Sequence, residues 1–151
     1  MLDLSEWLTR YRHEFLETPG HVASIELALT SPDIQVRFDA QQLHQILTNL
    51  VMNGLRYSRK QDGIPHIRLE AGYQAINDLP YLDVIDDGPG VALPHIDHLF
   101  EPFYTTESTG TGLGLYLSRE LCEANQARLD YIPGNPGACF RISFAHPDRL
   151  S

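Results

Sequence analysis

DAQQLHQILTNLVMNGLRY, residues 39–57, decides how this chain is read. Leu43, Ile46, Leu47, Leu50, Val51 and Leu55 recur at helical spacing and form one apolar stripe. Asp39 stands where a helix needs its cap. Gln45, Asn49, Asn53 and Arg56 run along a different face, with Tyr57 at its end. Asparagine is a poor helix former, so a pair of them one turn apart is costly inside an amphipathic helix. A solvated helix face tolerates that pattern. So does a site in which one carboxamide oxygen ligates a hard cation and a second amide donates to phosphate. The helix alone leaves both readings open.

Before this helix, Leu4, Trp7, Leu8, Tyr11 and Phe15 share a helical face, with Asp3 or Ser5 as cap and Thr18-Pro19-Gly20 as the stop. Residues 22–29 and 34–38 read as strands around the turn Ser31-Pro32-Asp33, and their proximity predicts a hairpin. After the helix, residues 66–74 alternate, with Ile67, Leu69 and Ala71 on one side and Arg68, Glu70 and Gly72 on the other. Residues 81–85 form the next strand. A loop-rich stretch follows over 86–111, then a helix over 112–124 with Leu115, Leu121 and Cys122 inward. Strands at 128–132 and 138–144 close the chain around the turn 133–137. Mixed strands and helices without strict βαβ alternation predict an α+β two-layer sandwich, with helices on one face of a mixed five-stranded sheet.

The wider composition is that of one globular domain: 151 residues, 42% apolar and 21% charged. A net charge of -9 argues against a nucleic-acid module and against an anionic membrane as partner. No stretch approaches the length of a membrane span, and the N-terminus lacks the basic start and apolar run of a signal peptide. Cys122 and Cys139 stand alone, without CxxC or a Cys/His cluster. They read as reduced thiols of a cytoplasmic domain without zinc.

Three further motifs follow in order. Asp86-Asp87-Gly88-Pro89-Gly90 succeeds an apolar strand. It is either a tight turn or an acid that accepts from an exocyclic amine, beside glycines that admit a flat ring. Leu99-Phe100-Glu101-Pro102-Phe103-Tyr104-Thr105-Thr106 is an aromatic core patch that also anchors a polar loop. Gly110-Thr111-Gly112-Leu113-Gly114-Leu115 opens a helix, where free N–H groups and the dipole suit phosphate. It is neither a Walker A motif nor a dinucleotide fingerprint.

Each motif is weak alone, but their order and spacing are specific. Together they resemble the catalytic, ATP-binding domain of histidine kinases, in the superfamily of gyrase B, the Hsp90 chaperone and the mismatch-repair ATPase. Its fold is the Bergerat type. The resemblance covers about residues 22–144. The short interval between Phe103 and Gly110 is similar to that of nitrogen-regulation and pilus-regulation sensor kinases.

The resemblance implies ATP and Mg²⁺ as cofactors. Asn49 is then the magnesium ligand and Asn53 a phosphate-side contact, with Arg56 and Tyr57 flanking the nucleotide. Asp86 reads the adenine amino group, and Gly88 and Gly90 line the base pocket. Tyr104, Thr105, Thr106 and the residues up to Thr111 form a lid, and Gly110, Thr111, Gly112, Leu113 and Gly114 lie on the triphosphate. Asp87 replaces an asparagine frequent in the family, and Glu107 stands where short-lid relatives place a lysine. The hydrolysing relatives keep a glutamate one turn before the magnesium asparagine. Here that residue is Gln45, so transfer to a protein nucleophile is favoured over hydrolysis.

The acceptor histidine of such kinases sits on a dimerisation domain. His13-Glu14 with Pro19 departs from the acceptor spacing by one residue, and His13 reads as a surface residue. The expected layout is a linker helix from that dimerisation domain over 1–20, the ATP-binding domain over 21–147 and a tail over 148–151. Implied partners are the phosphoacceptor domain and a response regulator, with no nucleic acid and no direct membrane contact. The implied place is the cytoplasmic end of a membrane-anchored sensor. A serine kinase of the anti-sigma-factor type and a non-catalytic nucleotide-sensing or docking module are the alternatives.

Overall fold

The computed structural model describes residues 1–58, 63–104, 113–133 and 137–145. Its elements run β1 (Leu2–Asp3), α1 (Leu4–Glu17), β2 (Ser24–Leu29), β3 (Gln35–Val36), α2 (Ala40–Tyr57), β4 (His66–Tyr73), β5 (Pro80–Asp86), α3 (Leu93–Ile96), α4 (Gly114–Ala124), β6 (Arg128–Tyr131) and β7 (Cys139–Ser143). A five-stranded sheet has the order β2-β4-β5-β7-β6. β2 and β4 are parallel, and the other pairs are antiparallel. This is the mixed sheet that the element order predicts.

Both expected helix caps form. Asp3 accepts from the N–H groups of Ser5 and Glu6, and Asp39 accepts from that of Gln42. The register puts Ile25, Ile67, Leu69, Ala71, Leu82, Val84, Leu129, Phe140 and Ile142 on one face. These residues share a core with Leu4, Leu8 and Phe15 of α1, with Leu43, Ile46, Leu47, Leu50 and Val51 of α2, and with Cys122 of α4. Arg68, Glu70, Asp83 and Arg141 alternate onto the other face. There Arg141 forks onto Asp83 at 2.7 and 2.9 Å, and Arg68 pairs with Glu26 and Glu70.

The expected hairpin does not form. β2 pairs with β4, setting Ile25, Leu27 and Leu29 beside Ile67, Leu69 and Ala71. A parallel partner needs a long crossover, and α2 supplies it. β3 instead pairs with β1, Leu2 opposite Val36. Alternation marks a strand but does not name its partner.

Asp86 falls opposite Ile67, so its carboxyl lies on the core-facing side at the end of β5. α2 crosses directly above, where a Cβ on Gly54 would lie 3.4 Å from the Cβ of Asp86. Among the described residues, no helix is long and apolar enough to cross a membrane.

Candidate functional site

A cavity of about 320 Å³ opens between α2, the end of β5 and the segment carrying α3. Asn53, Tyr57, Asp86, Gly90 and Tyr104 line it, five of the residues singled out in the sequence. Its apolar walls are Val91, Leu99, Leu115 and Phe140.

Asp86 is the buried charge of this cavity, only 6% exposed. Its Oδ1 accepts from the N–H of Gly88 at 2.8 Å and of Ala138 at 3.1 Å. Burial pushes the carboxyl above its ordinary value of 3.8, and the two N–H groups pull against that rise. Both contacts use one oxygen, and among the described residues no hydrogen bond is found to Oδ2. Gly137 is the reason the backbone comes so close. A Cβ there would fall 1.9 Å from the Asp86 carbonyl oxygen and 2.9 Å from Oδ1. Gly88 sits under the carbonyl of Tyr57, 2.3 Å from where its Cβ would be. Gly90 has φ of +76° and reaches the cavity.

Asn49 lies one turn up α2 from Asn53. Its Nδ2 donates to the Ser118 hydroxyl at 3.0 Å, and Ser118 is buried on α4. The first residue of α4, Gly114, is pressed against the same carboxamide, since a Cβ there would meet Asn49 Oδ1 at 2.7 Å. Leu113 precedes it at the cap position, and no side chain caps α4 among the described residues. The helix N-terminus and Asn49 therefore face one another beside the cavity.

Arg56 is exposed near the end of α2, outside the cavity lining. Gln45 is exposed too, one turn before Asn49. Thr105, Thr106, Glu107, Gly110, Thr111 and Gly112 lie outside the described residues. Asp87 Oδ1 accepts from the Ser58 hydroxyl at 2.7 Å, and Ser58 Oγ accepts from the N–H of His66 at 2.9 Å. Asp87 thus ties the end of α2 to the start of β4. His13 is exposed and pairs with Glu17 on its own helix, as a surface residue does.

Sequence reasoning missed Ser118, Gly137 and His95. Ser118 had a signal: it is a polar residue at helical spacing between Leu115 and Cys122, on the inward face. Gly137 was hidden in a turn that reads only as a connection.

The family model of histidine kinase-, DNA gyrase B- and HSP90-like ATPases matches residues 38–148. The chain belongs to this family. Among relatives of this ATPase domain is the sensor protein kinase PilS of Pseudomonas aeruginosa, 54% identical over 151 residues, covering 99% of this chain and 28% of PilS. The swarming motility sensor RssA of Serratia marcescens is 38% identical over 115 residues, covering 73% of this chain and 24% of RssA. The chain thus spans about a quarter of the length of these relatives. The catalytic domain of histidine kinase ThkA superposes with a TM-score of 0.78 at 22% identity, covering 95% of this chain and 92% of that one. The kinase domain of the E. coli osmosensor EnvZ gives 0.68 at 26% identity, covering 99% and 89%. The stretch that matches the ATPase family includes α2, Asp86 and α4, whereas α1 precedes it.

Proposed function

We propose that this chain is the ATP-binding catalytic domain of a two-component sensor histidine kinase, with adenine in the cavity beside Asp86. The observation that carries the reading is the buried Asp86 carboxylate. Two backbone N–H groups hold one of its oxygens, so the other can accept from an exocyclic amine. Val91, Leu99, Leu115 and Phe140 supply apolar walls for a flat base, and Tyr57 an aromatic one. PilS, a relative covering 99% of this chain, is a sensor protein kinase, which supports the same reading.

The phosphates would run toward Asn49 and the start of α4, which lies against the Asn49 carboxamide and whose first-turn N–H groups suit an anion. The donor set fits magnesium: Asn49 gives its Nδ2 to Ser118, which leaves a hard carbonyl oxygen as ligand. Magnesium, when bound, neutralises phosphate charge during transfer. Asn53 borders the phosphate side, and Arg56 is the nearby cation on α2. Gly110, Thr111 and Gly112 belong to the same site by sequence.

The chain's part in the reaction is to hold and align the γ-phosphoryl while an imidazole nitrogen from another domain takes it and ADP leaves. Gln45 offers no proton acceptor for water, which favours transfer over hydrolysis. The acceptor would sit on a dimerisation domain joined through the helix within 1–20, with the catalytic domain over 21–147 and a tail over 148–151. A response regulator would receive the phosphoryl next, at the cytoplasmic end of a membrane-anchored sensor. Labelled ATP should leave this chain unlabelled and should label a separately supplied dimerisation domain in its presence. Label on His13, or none on the added domain, would count against the reading.

A further inference from the structure

The segment after Gly90 winds with a period of three. The N–H of His95 donates to Ala92 O at 2.9 Å, that of His98 to His95 O at 3.1 Å, that of Glu101 to His98 O at 3.1 Å and that of Tyr104 to Glu101 O at 3.3 Å. Successive three-residue turns stack side chains three apart on one edge. His95, His98, Glu101 and Tyr104 therefore form a polar ladder. The Tyr104 hydroxyl is hydrogen-bonded to His95 Nδ1. The Tyr104 ring packs against His98 at 5.2 Å between centroids, and His98 Nδ1 lies 3.0 Å from Glu101. His95 and Tyr104 both line the cavity that holds Asp86.

We infer that His95 is a positioning residue of the nucleotide pocket, which fixes Tyr104 as a wall of the cavity by holding its hydroxyl. The inference rests on the reading of that cavity as the ATP site. Tyr104 follows Phe103, whose φ of +66° is unusual for a bulky residue, and Phe103 itself is 74% exposed. Leu99 and Phe100 pack against the core earlier in the stretch, whereas Phe103, next to Tyr104, does not. The ladder holds Tyr104, and the His95–Tyr104 pair joins two residues that line the cavity. A neutral imidazole accepts at Nδ1 when its proton is on Nε2, and in that tautomer the tyrosine hydroxyl donates. The ATP then meets a wall already ordered, and binding need not fix it.

The test is calorimetric titration of ATP into the 151-residue chain and its variants. His95→Leu and Tyr104→Phe should each weaken ATP about three- to tenfold, the worth of one hydrogen bond. The double variant should be no weaker than either single one, because both remove the same bond. His95→Asn places Oδ1 where Nδ1 stood and should restore affinity to within about twofold of the parent. Nitrogen-15 spectra should show His95 Nδ1 as an acceptor that shifts in Tyr104→Phe. Parental affinity in both single variants, penalties that multiply in the double one, or failure of His95→Asn to rescue would overturn the inference. Asp86→Asn is run beside them. If it also binds as the parent does, the cavity is not the ATP site; if it alone is impaired, only the role of His95 falls.

Discussion

Asp86 is under opposed demands. Its carboxylate is an acceptor aimed at a cavity, yet burial penalises its charge. The unfolded carboxyl ionises near 3.8 and the folded one at a higher pH. Between those values the unfolded chain binds fewer protons than the folded one, so stability falls as pH rises through that window. Asp86→Asn keeps an Oδ1 for Gly88 and Ala138 but removes the buried charge. The variant should melt at a higher temperature than the parent without nucleotide, and calorimetry should find ATP weaker by about tenfold or more. In the parent, ATP affinity should fall as acidification protonates Asp86, starting above the ordinary aspartate range. Ser118 is a second residue with a separable effect. Ser118→Ala should loosen the Asn49 carboxamide and reduce the tightening of ATP by magnesium, leaving metal-free ADP binding near the parental value. Asn49→Ala should abolish that tightening, and equal magnesium responses in all three proteins would sink the metal role. The residues legible in the sequence were those with unusual chemistry for their place, Asn49 and Asn53 in a helix and Asp86 at a strand end. Gly137 and Ala138 were not, because their contribution is backbone N–H and space, and neither leaves a side-chain signature.

At the scale of elements, α2 was read correctly because three signals agree on it: the Asp39 cap, the apolar period and length. The pairing of β2 was not, since its partner is chosen by register across forty residues of chain. The turns after Gly90 left little periodic apolar signal, because Leu99 and Phe100 pack against the core while His95 and Tyr104 line the cavity. The sheet face opposite the helices shows a further pattern that alternation alone foretold only as polar. Arg141 forks onto Asp83, which is 3% exposed, and lies over the Tyr81 ring at 4.7 Å from its centroid. Tyr81 in turn donates to Glu70 at 2.9 Å. Asp83 is covered by its partner, so removing that partner strands a charge with little water. Arg141→Ala should cost about 3 kcal/mol in urea unfolding, the usual penalty for breaking such a buried pair. Adding Asp83→Leu to Arg141→Leu should recover most of it, because the pair's attraction and its desolvation nearly cancel. A double variant as unstable as Arg141→Ala would mean that the face depends on the guanidinium's stacking rather than on charge.

For the whole molecule, the layering was legible because element order alone limits how helices can cover a sheet. What order did not reveal is how far α1 belongs to the same body. It was expected as a linker, and the matched family region begins only at residue 38. Yet Leu4 and Leu8 are fully buried and Phe15 is 5% exposed, all in the core shared with the sheet. The Tyr11 hydroxyl also meets Thr48 Oγ at 2.8 Å, one residue before Asn49, and burial pushes the Tyr11 phenol up to about 12. Leu8→Ala should therefore cost about 2 to 5 kcal/mol in chemical unfolding, as a buried leucine does. None of the cavity-lining residues lies on α1, so a helix that only stabilises would leave ATP affinity at low temperature unchanged. Tyr11→Phe separates the two roles, because it keeps the ring's packing and removes only the bond to Thr48. If α1 merely closes the core, Tyr11→Phe should lower stability by about 1 kcal/mol and leave magnesium-dependent ATP binding at the parental level. A loss of that magnesium dependence would instead make α1 a lever on Asn49, since the bond to Thr48 ties α1 to the residue just before it.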